Sequence, residues 1–479
     1  IDRSRGLGDV YKRQVQPLSK WLWEDMENDL KDGSAIGPFD QKEVDRFFQS
    51  EVWIPTPRFG IEQVSKVVDE KGEVIDKIKN RGVDSATENE INNAAQVTEN
   101  IKLNSVDKNV TLIKKLLKIK KEAKISGWVV DESRAYRQIG IAPSHRRWSV
   151  ICLFEPKTRK VMFFIMIGHS FGLVASVYNY NRRSAMINQI LIKEFKLLAA
   201  FYFDDKFGFE KEGLVDQAMK IVQAVHRWVG AKFEEKKTQV SKAPTILGVV
   251  HDLDEYKIKI KPERKAALID EIKKILEEGS LTPGHAGKLK GKLQFGAGQI
   301  CGKFGRAFLL ALSERQYTKC KDLGIEGPIR KALEAWIRVL EDAKPREIYQ
   351  FGDGITDAVI FTDGFFPDHR KKEEGPPRVG VVAFIKDLRK PLAITAKIDE
   401  EIMCHWIERK NQIAMVELFA PVLALAMMGK FLEKKKVLLF VDSEPVEGAL
   451  VKGYSSRSDM CELTGEFWHL AHRWDIRIY

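Results

Sequence analysis

The pattern of apolar and polar residues predicts an α+β chain in which strands and helices alternate. Residues 256–261 alternate between apolar or aromatic side chains and lysines, which is the period of a half-buried strand. Residues 262–278 carry apolar side chains at helical spacing, begin with Pro262 and precede Gly279, so they predict an amphipathic helix. Further apolar runs predict strands at residues 126–131, 148–154, 161–167, 358–364, 379–385 and 437–443. A helix is predicted at residues 411–429, and short amphipathic helices at residues 21–50.

Two adjacent carboxylates, Asp204 and Asp205, lie between apolar and aromatic residues in the segment 201–208. This arrangement predicts a hairpin whose tight turn directs both side chains out of a sheet. Clustered carboxylates are unfavourable unless cations pair with them, and Mg²⁺ prefers oxygen ligands. A pair of such ions would clamp the attacking and leaving oxygens of a phosphoryl displacement. An ordinary solvated turn is the alternative, so the hypothesis depends on the rest of the chain.

Composition and charge limit the classes of protein to which the chain can belong. The chain has 479 residues, of which 44% are hydrophobic and 31% charged, and its formal net charge is +11. The positive charge suits a polyanionic partner, although many basic proteins bind none. The five scattered cysteines are typical of a reduced intracellular protein, cytoplasmic or nuclear. Because no apolar run approaches about 18 residues, we expect no membrane span, and we expect no secretory signal.

Several further segments fit a phosphoryl-transfer site. The strand 126–131 ends at Asp131, which could join a metal site built by a neighbouring hairpin, and Tyr136 follows it closely. Gly172 permits close approach of the backbone. Basic residues in the segment 74–93 would suit a two-stranded arm over a triphosphate, although a solvated hairpin explains them equally well.

The order of these pieces resembles the reverse transcriptase family of retroelements over residues 53–306. The first palm motif is matched by Asp131 with Ala135 and Tyr136, the FGL motif by residues 171–173, and the YxDD motif by residues 202–205. Residues 235–239 resemble the lysine segment, and residues 246–248 resemble the primer-grip hairpin. The style of the YFDD and FGL motifs resembles DIRS-like or related LTR-type retrotransposons.

The resemblance implies a role for each matching residue. Asp131, Asp204 and Asp205 would hold two Mg²⁺ ions, for which Mn²⁺ could substitute. Tyr136 would be the steric gate against a ribose 2′-hydroxyl, and Gly172 would lie in the nucleotide site. The triphosphate would be contacted by Lys79 and Arg81, and pyrophosphate would be protonated by Lys237. Three departures from the family, at Arg134, Ser170 and residues 176–177, affect nucleotide and template positioning and leave the metal ligands intact.

Lysines downstream of the palm predict a nucleic-acid contact surface. Residues 256–261 place lysines on one strand face, and residues 287–306 interleave glycine with lysine, which allows a phosphate backbone or another helix to approach. The alternative for residues 287–306 is simple helix packing. The predicted contacts are Lys257, Lys259, Lys261, Lys288, Lys292 and Lys303.

The last part of the chain shows a strand ending in Asp363, a helix carrying Glu417 and a strand ending in Asp442. This order resembles the RNase H domain of retroelement polymerases, which implies that the three carboxylates bind two Mg²⁺ ions and hydrolyse RNA in a hybrid. An inactive α/β connection domain is the alternative. Because the family's fourth carboxylate would lie beyond Tyr479, we expect a truncated RNase H-like domain.

The predicted architecture is a right-hand polymerase with fingers, palm and thumb, followed by an α/β RNase H-like domain. We expect a non-native leader at residues 1–14, a helical segment at 15–52, fingers and palm at 53–250, thumb and connection at 251–345, and the RNase H-like domain at 350–479.

The leading hypothesis is an RNA-directed DNA polymerase acting on an RNA template, a DNA primer, RNA–DNA hybrids and dNTPs. The alternative is a domesticated or decayed retroelement protein that binds nucleic acid without catalysis. A third hypothesis, an RNA-directed RNA polymerase, is disfavoured by Tyr136.

Overall fold

The structure is a computed structural model that describes residues 18–68, 74–119, 124–234, 238–296, 302–318, 323–348, 356–367 and 375–479. The expected leader and Lys237 lie outside these residues. The chain forms two compact units. The first comprises Ile1–Leu247 with His251–Glu255, and the second comprises Gly248–Val250 with Tyr256–Tyr479.

The first unit mixes helices and strands. In chain order it contains α1 (Ser19–Lys31), β1 (Ala35–Phe39), α2 (Gln41–Phe48), β2 (Pro55–Val68), β3 (Val74–Asp84), α3 (Ile91–Ala94), α4 (Val106–Ile119), β4 (Ile125–Asp131), β5 (Val150–Phe154), β6 (Val161–Met166), α5 (Val174–Lys193), β7 (Leu198–Tyr202), β8 (Asp205–Lys211), α6 (Val215–Trp228), β9 (Gln239–Ser241) and β10 (Thr245–Ile246). Strand β11 (Val249–Asp252) lies where the chain passes between the units.

The second unit begins with a helical part and ends with a sheet. In chain order it contains β12 (Lys257–Ile260), α7 (Pro262–Glu278), α8 (Pro283–Gly296), α9 (Leu309–Tyr317), α10 (Pro328–Asp342), β13 (Arg346–Glu347), β14 (Ala358–Phe365), β15 (Arg378–Ile385), β16 (Leu392–Lys397), α11 (Glu400–Met403), α12 (Ile413–Leu432), β17 (Lys436–Phe440), α13 (Glu444–Lys452), α14 (Ser458–Arg473) and β18 (Arg477–Ile478).

A five-stranded sheet in the first unit has the strand order β1-β6-β5-β2-β3. Its long antiparallel hairpin β2–β3 is the two-stranded arm that the sequence predicts, with Phe59 opposite Val83 and Ile61 opposite Arg81. Strand β1 was not predicted, because its glycine and proline have weak strand propensity and only helices were expected there. Its place is set by antiparallel pairing with β6, in which Ala35 lies opposite Met166.

A second sheet of the first unit has the order β7-β8-β4-β9. Its core contains buried Trp128 and Val130 from β4, packed with Ile187 from α5 and Val222 from α6. Gly208 faces Trp128 so closely that a Cβ atom there would lie 2.4 Å from the indole ring. This sheet presents its strand ends to the candidate site described below.

The helical part of the second unit follows its local sequence pattern. Helix α7 begins at Pro262 and ends at the residue before Gly279, which adopts a left-handed conformation with φ of 65°. Both predicted ends are confirmed. The helix packs into a core built around the buried side chains of Leu289, Phe304 and Trp336.

The C-terminal sheet of the second unit has the order β16-β15-β14-β17-β18. The pairs β14–β15 and β15–β16 are antiparallel, whereas β17 is parallel to both β14 and β18. Helix α12 packs into the core of this sheet with Val416, Leu418 and Leu425 buried.

Helix α12 is also long and apolar enough to cross a membrane, judged by length and composition alone. Its most apolar stretch is 67% buried inside the protein, as is typical of the core helix of a soluble fold. Helix α12 includes Glu417, Pro421 and Lys430, so its sequence is not an uninterrupted apolar run. The expectation of no membrane span was based on uninterrupted runs only.

Candidate active sites

The sheet β7-β8-β4-β9 brings two predicted metal ligands together through its strand register. Asp131 is the last residue of β4, Asp205 is the first residue of β8, and the two are directly opposite each other in the antiparallel pair. Cβ atoms of directly opposed residues are about 5 Å apart. The register therefore places two carboxylates that are 74 positions apart in the sequence at one end of the sheet.

Asp204 lies in the two-residue turn that joins β7 to β8, where Tyr202 pairs with Asp205. Phe203 occupies the turn with a positive φ of 52°, a conformation that non-glycine residues adopt mainly in tight turns. Asp204 and Asp205 are both exposed, as the predicted hairpin requires. Three carboxylates thus meet at this sheet end, although they are not all within 4.8 Å of one another.

Tyr136 stands beside this acidic group. Its ring packs edge-on against Phe171, with centroids 4.9 Å apart, and against Tyr180, with centroids 5.2 Å apart. Partial burial and the charge of Asp204 both raise the pKa of the Tyr136 hydroxyl. The tyrosine is therefore held by two other rings within electrostatic reach of Asp204.

Gly172 is required by a close contact between backbone segments. Its φ is +102°, and a Cβ atom there would lie 2.0 Å from the carbonyl oxygen of Asp84 at the end of β3. The Asp84 amide donates to the carbonyl of Phe171 at 3.1 Å. The Asn92 side chain donates to the Gly172 carbonyl at 2.8 Å and accepts from the Val174 amide at 2.9 Å. These contacts join the FGL segment to the end of the arm.

A buried ionic network fixes the loop that carries Tyr136. Asp29 of α1 accepts hydrogen bonds from Arg58 at 3.0 Å, from Arg137 at 3.0 Å and from Arg134 at 2.5 Å. Arg134 also pairs with Asp32 at 2.8 Å. Arg134, which departs from the family pattern, therefore connects the Tyr136 loop to helix α1.

A separate acidic cluster lies in the second unit. One oxygen from each of Asp363, Glu417 and Asp442 lies within 4.8 Å of the other two, and no other such group of three occurs among the described residues. Burial and the neighbouring charges of Asp442 and Asp363 raise the pKa of Glu417 to about 7. A Cβ atom on Gly364 would lie 2.9 Å from the Glu417 amide nitrogen, so a residue without a side chain is needed after Asp363. The three predicted carboxylates are brought together.

Comparison with known proteins identifies the type of fold. No protein-family model and no curated protein sequence matches the chain. A solved structure of the foamy viral protease–reverse transcriptase in complex with double-stranded DNA matches with a TM-score of 0.50 at 13% sequence identity, covering 98% of this chain and 70% of that one. The fold is reverse-transcriptase-like. A second structure of the foamy viral protease–reverse transcriptase, in complex with an RNA/DNA hybrid, has a TM-score of 0.48 at 11% identity. This chain covers 53% of the length of that one.

Two of the three basic residues predicted to contact nucleotide lie within the described residues. Lys79 and Arg81 lie on strand β3, where both side chains are exposed and, as alternate residues, point to the same face. Lys237 cannot be placed, because it lies outside the described residues. The roles of all three remain predictions.

Lys292 and Lys303, which are predicted to bind nucleic acid, make side-chain contacts within the second unit. Lys292 forms an ion pair with Glu271 at 2.8 Å, and the ammonium of Lys303 lies 4.5 Å from the centre of the Trp468 ring. Lys261 and Lys288 are exposed, whereas Lys257 and Lys259 are half-buried on either side of buried Ile258. Engagement of Lys292 or Lys303 by phosphate would therefore replace an existing contact.

Two charged residues beside the palm aspartates were not predicted. Glu132 follows Asp131 and Lys206 follows Asp205, and both side chains are buried and paired at 3.4 Å. A signal was available, because successive residues of a strand point to opposite faces. The charged residues that follow Asp131 and Asp205 therefore face the helices that cover the sheet.

Proposed function

We propose that this chain is an RNA-directed DNA polymerase of a retrotransposon, of the DIRS-like or LTR type, with a second, RNase H-like centre. The observation that supports it is the β4–β8 register, which opposes Asp131 and Asp205 beside the turn that carries Asp204. The reverse-transcriptase-like fold supports the same assignment. Substrates in the proposal are an RNA template, a DNA primer and dNTPs.

The donor set of the palm site fits divalent cations with a preference for oxygen ligands. Directly opposed like charges destabilise a strand pair unless a cation lies between them, and carboxylate oxygens are the ligands that Mg²⁺ prefers. Asp131, Asp204 and Asp205 would hold two Mg²⁺ ions, or Mn²⁺ in their place. When bound, the ions would activate the primer 3′-hydroxyl and stabilise the charge on the departing pyrophosphate.

The other residues of the site position the nucleotide. Tyr136, held between the rings of Phe171 and Tyr180, would fill the space that a ribose 2′-hydroxyl requires. Lys79 and Arg81 on the arm would contact the triphosphate. In this proposal the chain selects and orients dNTPs through packing and charge, whereas formation of the new phosphodiester bond depends on the three aspartates.

The second centre fits a metal-dependent hydrolysis. Asp363, Glu417 and Asp442 supply oxygen ligands close enough for shared ions, and burial together with the charges of Asp442 and Asp363 raises the pKa of Glu417. We therefore propose that they hold Mg²⁺ and cut the RNA strand of a hybrid. The parallel β14–β17 pair, with Asp363 on the first strand and Asp442 after the second, supports an RNase H-like arrangement.

Primer extension tests the polymerase assignment. The full chain should extend a DNA primer on an RNA template with dNTPs and Mg²⁺, and Asp204→Asn should lower the rate about a thousandfold or more, since each ~1.4 kcal/mol of lost charge stabilisation costs tenfold. Asp216→Asn, on nearby helix α6, is the matched control and should retain activity. Template binding without extension by the unmodified chain would instead favour the non-catalytic nucleic-acid binder.

A further inference from the structure

A cluster of charged groups is buried beneath the palm aspartates, on the opposite face of the sheet. Its members are Glu132, Lys206, Arg183 of α5 and His226 of α6. The side chains of Glu132 and His226 are fully buried, and that of Lys206 is 4% exposed. Because charges are costly to bury, a cluster at this position requires a structural or functional reason.

The Lys206 ammonium is bonded to the turn that carries Asp204. It donates to the carbonyl oxygen of Phe203 at 2.8 Å and approaches that of Asp204 at 3.5 Å. It also donates to the Tyr180 hydroxyl of α5 at 3.1 Å, and its charge lies 4.9 Å from the centre of the Tyr180 ring. One side chain therefore ties the aspartate turn to the helix beneath it.

The same ammonium reaches the strand that carries the other metal ligand. Lys206 pairs with Glu132 at 3.4 Å, and Glu132 accepts a hydrogen bond from Arg183 at 2.9 Å. His226 lies 3.8 Å from Glu132, and burial lowers the pKa of this histidine, which favours its neutral form. The buried pair thus spans the gap between Asp131 and Asp205 on the rear face of the sheet.

We propose that Lys206 is a positioning residue for the palm metal site, acting together with Glu132. The ammonium fixes the backbone of the turn through the carbonyl groups of Phe203 and Asp204, and its pairing with Glu132 holds that turn at a set distance from Asp131. The carboxylates are thereby aligned before a divalent cation arrives. This inference rests on the proposed polymerase function and concerns how its metal site is prepared.

A purely electrostatic role for Lys206 would have the opposite consequence. A lysine that only offsets the charge of the aspartates would compete with Mg²⁺, so its removal would strengthen cation binding. A lysine that aligns the ligands would weaken cation binding when removed. The bonds of Lys206 to turn carbonyls, rather than to a metal-ligand carboxylate, favour alignment.

The test is a divalent-cation titration of the full chain carrying Lys206→Met. We expect the Mg²⁺ concentration for half-maximal primer extension to rise about tenfold or more, the loss expected when a charge-assisted hydrogen bond is removed. Lys211→Met, the same replacement at the far end of β8, is the control and should leave it unchanged. A fall in half-maximal Mg²⁺ for Lys206→Met, or no change, overturns the proposal.

A second readout does not depend on catalysis. With hydrogen peroxide and ascorbate added, Fe²⁺ bound at the aspartates would reduce the peroxide to hydroxyl radical and hydroxide, and ascorbate would return the Fe³⁺ to Fe²⁺. The radicals cut the nearby backbone, and mass spectrometry locates the cuts around residues 203–206. The half-maximal Fe²⁺ concentration should rise in Lys206→Met as in the extension assay, and an unchanged value contradicts alignment. If the unmodified chain shows these cuts but extends no primer, the proposed function fails while this comparison still decides the role of Lys206.

Coupling and folding are checked with further variants. Glu132→Gln should raise the half-maximal Mg²⁺ concentration in the same direction, and the double variant should be no worse than Lys206→Met alone, because the two residues act as a unit. The proposal would be contradicted if Glu132→Gln changed the half-maximal Mg²⁺ concentration in the opposite direction to Lys206→Met and the two effects added in the double variant. Where Lys206→Met does not fold, Lys206→Gln replaces it, and the same rise is expected because its shorter, neutral side chain loses the contacts.

Discussion

Glu417 is an acidic residue whose surroundings disfavour its ionised form. The side chain is 8% exposed and faces two carboxylates, so its ionised form is disfavoured by burial and by repulsion from Asp442 and Asp363. The pKa is consequently raised from 4.5 to about 7. A carboxylate with this pKa is half protonated near neutral pH, and a bound divalent cation would restore its charge.

This pKa predicts a pH dependence of stability. Because the folded state holds the Glu417 proton more tightly than the unfolded chain, its contribution is greatest at low pH and is lost as pH rises from 4.5 toward about 7. In a chelating buffer, the melting temperature should fall over that window, and Glu417→Gln should reduce the fall. Added Mg²⁺ should raise the melting temperature above that window in the unmodified chain.

The control for this experiment lies at the end of the same helix. Glu433→Gln replaces an exposed glutamate just after α12 and should leave the pH dependence of melting unchanged. Identical pH profiles for the unmodified chain and Glu417→Gln would show that Glu417 does not titrate in this range.

Individual residues were predictable where their neighbours in the sequence define them. Asp204 and Asp205 were found because apolar runs on both sides define a hairpin, and the structure confirms that hairpin. Glu132 and Lys206 were missed because their pairing depends on which face of β4 and β8 the helices cover. That information is tertiary, and only the alternation of strand faces hinted at it.

At the scale of elements, helix α1 is held to strand β2 and to the loop after β4 by charge as well as by apolar packing. Its Asp29 accepts from three arginines that come from β2 and from the loop after β4. The Asp29 side chain is fully buried, whereas Asp32, one turn later, is 51% exposed. Asp29 within the helix and Asp32 just after its end should thus differ in how much each stabilises the fold.

Asp29→Asn should therefore destabilise the protein by about 3–5 kcal/mol, because it removes a fully buried counter-charge from Arg58 and Arg137 and leaves Asp84 to serve both. Asp32→Asn removes one exposed partner of Arg134 and should cost less than about 1 kcal/mol. Urea unfolding curves of the two variants and the unmodified chain measure the difference. Equal losses for both variants would mean that burial of the network does not determine its strength.

Elements were predictable where the local pattern decides the structure. Helix α7 has its proline start, its apolar stripe and its terminal glycine within one continuous stretch, so both of its ends were predicted. Strand β1 has no such signal, and it forms because β6 offers an edge for it to pair with.

At the scale of the whole molecule, each compact unit contains one acidic centre. Asp131, Asp204 and Asp205 belong to the first unit, and Asp363, Glu417 and Asp442 belong to the second. The predicted boundary near residue 345 remains a prediction, whereas compact packing divides the chain near residues 248–256. The helices after β12 belong to the same compact unit as the C-terminal sheet because Lys303 and Ala307 contact α14. Contacts between residues so distant in the sequence leave no local pattern from which they could be predicted.

Separate centres predict separable activities. Asp442→Asn should lower cleavage of the RNA strand in an RNA–DNA hybrid about a hundredfold or more, while primer extension should stay within about twofold of the unmodified chain. Gel assays on one labelled hybrid measure both activities in one sample. Asp475→Asn, outside the acidic cluster, is the control, and a parallel loss of extension in Asp442→Asn would show that the centres are coupled.

The tight approach of Gly172 to the Asp84 carbonyl bears on how mutational scans of this region should be interpreted. Any larger residue at this position would force the FGL segment away from the end of the arm before a nucleotide is present. Loss of activity in a variant at position 172 would thus indicate a lost backbone contact between two segments. It would not show that residue 172 contacts a ligand. Comparing circular dichroism spectra of such variants separates the two explanations before any kinetic constant is interpreted.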